Sequence, residues 1–262
     1  MMAAGRRRSI GRMVVVMLII VMIGILIARS YYGNVNRSID PRIVQARELY
    51  SGYDTYARTG NYYNIFAFLD SIEQIYKSTA HYRESFELGV MDNNRAAALI
   101  TIALYADSIP ITSNPWSGWP GDSIISLAEA YVNQAIAIYN NWNTLYLGKS
   151  TQQIQTMIES GFMAGLEKVE PDLRNKYLEA RVREIEKAVL ENNRRLSVCY
   201  TNLGLASRYL GNYEDAVEHY ERALELWDRN LDAENNLNKL LNRPERKRNI
   251  IQKLFPPEKD PT

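Results

Sequence analysis

The sequence predicts an all-α protein, with an N-terminal transmembrane helix followed by a solenoid of helical hairpins. Three observations carry this reading. Apolar residues recur at helical spacing through most of the chain, and no run alternates with the period of a strand. Residues 13–28 read MVVVMLIIVMIGILIA, without a charge. Near the C-terminal end Asn202-Leu203 is echoed by Asn236-Leu237, the spacing of a two-helix repeat.

The composition suits an ordered body: 46% of the 262 residues are hydrophobic and 23% are charged. Lys+Arg is 31 and Asp+Glu is 30, a net charge of +1, which argues against a general nucleic-acid binder. The balance conceals a split. Arg6, Arg7, Arg8, Arg12 and Arg29 lie in a head that holds no acid, so the body is mildly acidic. One cysteine, Cys199, excludes an internal disulfide framework and a cysteine-built metal site. Two histidines, His81 and His219, are too few for most histidine metal sites, so neither metal nor cofactor is expected.

Residues 1–12 read as a cytoplasmic basic tail and 13–32 as a membrane anchor. The apolar run is slightly shorter than the roughly 20 residues needed to cross a bilayer. Ile10, Gly11, Tyr31 and Tyr32 extend it, while Arg12 and Arg29 can snorkel. The arginine cluster places the N-terminus in the cytoplasm and the body across the membrane, in the periplasm or outside. A cleaved signal peptide is the alternative. The run exceeds the usual apolar region of such peptides, and Ala28-Arg29-Ser30 is a poor cleavage site.

Residues 33–170 read as a helical domain. Asp40 as cap and Pro41 at the first helical position predict a helix to about Arg58. Gly60-Asn61 breaks it. Tyr62, Ile65, Phe66, Leu69, Ile72 and Tyr76 mark a second helix. A third is expected over 82–108, with Phe86, Val90, Ala97, Ile100 and Leu104 on its inner face. Asp122-Ser123 would cap a fourth, with Leu127, Ala130, Tyr131, Ala135, Ile138 and Trp142 as its stripe. A short helix covers 152–163. Pro171-Asp172 opens a long charged helix ending near Asn193.

Residues 171–242 thus comprise this long helix, a repeat and a capping helix. In YTNLGLASRYLGNYEDAVEHYERALELWD, residues 200–228, small Gly204, Ala216 and Ala223 permit close helix approach. Tyr200, Leu203 and Tyr220 fill the gaps, and Gly211-Asn212-Tyr213 supplies the turn. This segment resembles a tetratricopeptide repeat (TPR). Ser207 and Asp228 depart from the pattern, standing where Tyr and Pro are usual. Residues 46–76 resemble a degenerate repeat through Tyr56, Gly60-Asn61-Tyr62 and Leu69, with Ile65 where Ala is usual. The cap segment DAENNLNKLLNR is similar to repeat proteins of bacterial aerotolerance operons, a likeness too short to carry a function. Since one repeat cannot bury its own faces, the upstream helices should complete the array. Residues 243–262 form a basic, proline-rich tail.

No catalytic motif emerges. Leu147-Gly148-Lys149-Ser150 imitates the end of a phosphate loop, but Asn143 occupies the required glycine position. Glu184 with Glu186, and Glu214 with Asp215, read as solvated helix faces. Cys199 reads as a buried filler rather than a nucleophile. Asn36-Arg37-Ser38 matches a glycosylation acceptor.

Two binding candidates remain. The loop 110–121, PITSNPWSGWPG, carries Trp116 and Trp119, which either anchor a partner or pack back onto the helices. The TPR resemblance implies a concave groove lined by Thr201, Asn202, Leu205, Arg208 and Tyr209, continuing to Asn235, Asn236 and Lys239. The asparagines would bond a bound backbone, and Arg208 and Lys239 would pair with carboxylates. The family's terminal-carboxylate clamp is not reproduced. The resulting expectation is a non-enzymatic, membrane-anchored TPR scaffold that binds envelope or membrane proteins. The alternatives are an envelope receptor for a sugar or peptide, with a pocket near the tryptophan loop, and an enzyme with an unfamiliar site marked by buried carboxylates or a buried histidine.

Overall fold

A computed structural model describes residues 39–247, and these contain helices and turns but no strand. The helices are α1 (Val44–Thr59), α2 (Tyr62–Ser78), α3 (Phe86–Leu104), α4 (Gly121–Tyr146), α5 (Thr151–Met163), α6 (Pro171–Tyr209), α7 (Tyr213–Leu226) and α8 (Leu231–Leu240). The apolar run 13–28, Asn36 and the end of the tail lie outside the described residues. Among the described residues no helix is long and apolar enough to cross a membrane.

The local signals act largely where the sequence puts them. Gly60, at φ 66°, takes the left-handed conformation that ends α1, and its N–H bonds Tyr56 O. Asn61 then caps α2 by accepting from Asn64 N. Ser150 and Gln153 close a reciprocal capping box on α5. Asp40 is different. The helix starts later, at Val44, and the buried Asp40 carboxylate instead receives the Arg42 N–H at 2.9 Å and the Tyr82 hydroxyl at 3.2 Å. Asp122 and Ser123 make no cap on α4.

Two stripes also differ. α3 is shorter than expected and buried around most of its surface, through Leu88, Met91, Ala96, Leu99, Ile100 and Ile102, while Leu104 is exposed. It is the central helix, packed against α2, α4 and α6, so a single apolar stripe cannot describe it. On α4 the buried line is Ile124, Ile125, Ala128, Val132, Ala135, Tyr139 and Trp142, and Ala130 faces solvent.

The largest departure is α6. It does not end at Asn193 but runs unbroken for 39 residues, roughly 58 Å at 1.5 Å per residue. No glycine or proline interrupts 172–203. The amide of Asn192 is drawn sideways instead, donating to Tyr139 O on α4 at 2.8 Å.

One apolar core extends from Ile43 to Ala206 and takes in α1 through most of α6. A second, smaller cluster of Ala216, Tyr220, Ala223, Ala233 and Leu237 holds α7 and α8, with half-buried Tyr200 of α6 packed against it. The last turns of α6 therefore serve both cores.

Candidate functional site

The hairpin of α6 and α7 is built on small residues. Ala216, Tyr220 and Ala223 are fully buried. At Gly204 an added Cβ would lie 2.6 Å from Tyr220 Cδ1, so the tyrosine ring occupies the space a side chain would need. Gly211, at φ 81°, makes the turn between the helices. Asn230 ties α8 to this hairpin. Its amide donates to Ser197 Oγ at 2.8 Å and Thr201 Oγ1 at 2.9 Å, while its oxygen caps α8 by accepting from Ala233 N.

The expected groove residues divide. Thr201 and Asn202 are buried at 5% and 7% exposure, rather than lining an open surface. Thr201 donates to Ser197 O, and Asn202 Nδ2 donates to Asn93 Oδ1 of α3 at 2.9 Å. Asn202 is covered because α3 packs on this stretch of α6, and Thr201 is engaged by Asn230 at the start of α8. Leu205, Arg208 and Tyr209 are half-buried. Arg208 Nη1 donates to Asn236 Oδ1 at 3.1 Å, which joins the end of α6 to α8. Asn235 brackets the backbone of Arg246, and Lys239 is exposed. Tyr209 rests on the start of α4, where a Cβ on Gly121 would lie 2.9 Å from its Cζ. Sequence reasoning missed Gly121, whose proximity to Pro120 reads as turn chemistry alone.

The two tryptophans part company. Trp116 packs on Phe66 with ring centroids 4.1 Å apart, and its backbone N–H donates to Oδ1 of buried Asn114 at 2.9 Å. Trp119 is 56% exposed.

A charged cluster that sequence reasoning did not anticipate lies between α1, α3 and α6. Fully buried Arg181 donates to Glu87 Oε1 at 2.6 Å, Glu87 Oε2 at 3.3 Å, Glu184 Oε2 at 3.2 Å and His81 Nε2 at 3.3 Å. Its guanidinium sits 4.4 Å from the Tyr82 ring centroid. Arg47 pairs with the other oxygen of Glu184. Glu184 is thus not the solvated carboxylate its helix face suggests. Burial alone would raise the Glu87 carboxyl, but Arg181 holds it below its usual range. Burial, aided by Arg181 and Arg42, pushes His81 down to about 4. Beside the cluster is a cavity of about 300 Å³, lined by side chains of α1, α2, α3, α4 and α6.

Buried Cys199 has its thiol pushed up by desolvation and lies 3.4 Å from Asn93 Oδ1. Among the described residues no three His, Cys, Asp or Glu side chains gather as a metal-binding set.

Residues 197–230 match the tetratricopeptide repeat. The matched segment comprises the last turns of α6, all of α7 and the Asn230 cap of α8. No curated protein and no solved structure matches the chain. The protein therefore carries a tetratricopeptide repeat within an all-helical body, and such repeats generally mediate protein–protein interaction.

Proposed function

We propose that this protein is a non-enzymatic, membrane-anchored scaffold that binds a partner protein through its repeat end. The repeat at 197–230 is the observation that carries the reading. The partner face is the rim where α6 meets α8, formed by half-buried Leu205, Arg208, Tyr209, Asn235 and Asn236 and by exposed Lys239. Thr201 and Asn202 support it from behind. Two cations on a rim that also carries Leu205 and Tyr209 favour a partner with an acidic, partly apolar segment. The run 13–28 and its arginines are the basis for an anchor with a cytoplasmic N-terminus and the body outside the cytoplasm, among envelope or membrane partners.

The test is crosslinking in intact cells, then purification of the full-length protein from membranes in mild detergent. A near-stoichiometric partner is expected, lost when Arg208→Glu and Lys239→Glu are combined. Recovery of the protein alone, or a partner indifferent to both changes, contradicts the proposal.

A further inference from the structure

The cavity between α1, α3, α4 and α6 has an unequal hydrogen-bond account. Its two carboxylates are already engaged. Both oxygens of Glu87 accept from Arg181, and the oxygens of Glu184 accept from Arg47 and Arg181. The donors are in surplus. Among the described residues the side chain of half-buried Arg47 makes a single hydrogen bond, to Glu184, although a guanidinium carries five N–H groups. Lys187 reaches Glu191 only at 3.9 Å, and among the described residues the Asn93 side-chain nitrogen makes no hydrogen bond while its oxygen accepts from Asn202. Arg195, by contrast, is occupied by Glu191 and Ala188 O. Asn94 donates to the Tyr50 hydroxyl, and the rest of the wall is apolar or aromatic, notably Phe86, Val90, Met91 and Tyr139.

Spare cationic donors beside apolar walls select a ligand that accepts hydrogen bonds at one end and buries apolar surface at the other. A volume of about 300 Å³ holds a compact organic molecule rather than a peptide segment or sugar chain. The charge cluster serves as the frame. Arg181 fixes Glu87 and Glu184, and Glu184 in turn aims Arg47. We propose that this cavity binds a small amphiphilic carboxylate, its carboxylate held by Arg47 and its apolar part against Phe86, Val90, Met91 and Tyr139. The cavity shares Val198 with the repeat but none of the rim residues, so it can be tested without a protein partner.

The probes are phenylacetate, indole-3-acetate and 4-methylpentanoate, each beside its neutral amide. They are titrated by calorimetry into full-length protein in lipid nanodiscs, with empty nanodiscs as the blank. At least one acid is expected to bind, with its amide weaker by about tenfold, the scale of one charge-assisted bond. Arg47→Met should lower affinity by a similar factor, and Arg47→Lys by less. Glu184 keeps Arg181 in both variants, which protects the fold. Val90→Trp should abolish binding by filling the cavity, and Arg47→Met decides alone if that variant does not fold. Absence of binding by all three acids, equal binding of acid and amide, or an unchanged Arg47→Met variant overturns the proposal.

Discussion

Gly204 and Tyr220 show how a single residue sets the spacing of two helices. A methyl group at 204 meets a fully buried ring that cannot swing aside. Overpacking of this kind costs about 1–3 kcal/mol, whereas the helix-propensity gain of Gly→Ala is at most about 1 kcal/mol. The steric term wins, so Gly204→Ala should lower stability by about 1–2 kcal/mol in chemical denaturation. A more stable variant would refute the close approach. His81 gives a second residue-scale expectation. Its folded pKa of about 4 lies below the ordinary 6.5. Unfolding therefore takes up a proton between these values. The stability that neutral His81 contributes is complete above pH 6.5 and is lost as pH falls toward 4. Asp92 acts in the opposite sense. Burial raises it to about 6, so the folded chain holds that proton more tightly, and its contribution is lost as pH rises through 6. His81→Phe removes only the first effect. Urea unfolding of wild type and variant from pH 7 to 4 should show that the variant loses less stability on acidification. Parallel curves would contradict the assignment. Gly204, Tyr220 and the turn glycines were legible in the sequence because their partners lie within one short repeat. Arg181 and Glu87 were not. They are separated by 94 positions, and no local pattern distinguishes a buried pair from two solvated charges.

At the scale of elements, the repeat's first helix has no start of its own. It is the end of α6, whose earlier turns belong to the main core. The charged stretch that opens at Pro171 reads as a helix ending near Asn193, but nothing breaks the helix there and it continues to Tyr209. Helix ends were legible where a turn glycine acts locally, as at Gly60 and Gly211. They were not legible where a polar residue was drawn into a tertiary hydrogen bond, as at Asn192. The same competition explains why Thr201 and Asn202 are buried. α8 depends on Asn230, which caps it and also bonds Ser197 and Thr201. A lost cap costs about 1 kcal/mol, and two buried side-chain bonds add about as much each. Asn230→Ala should therefore release α8 first. Amide hydrogen exchange is expected to accelerate over 231–240 while α1–α5 keep their protection. Uniform loss, or none, would contradict this coupling.

At the scale of the whole molecule, the described body has its main core from α1 to α6 and its repeat at the C-terminal end. Helical class and most helix positions were readable from spacing and the repeat from its resemblance, but the fusion of the long helix with the repeat's first helix into α6 was not. The packing of α3 against several neighbours was not, because periodicity reports a stripe and not how many helices cover a segment. The cavity escaped for the same reason, since its walls come from residues distributed from 47 to 198. The central claim is that the α6–α8 rim meets a partner. It is tested most directly by a photocrosslinking amino acid placed at Lys239 in intact cells, with the same group at Leu190, an 84% exposed position on α6, as the control. The account predicts a discrete adduct from 239 that is absent from 190 and is lost with Arg208→Glu. No adduct at 239, or equal adducts from both positions, would contradict it.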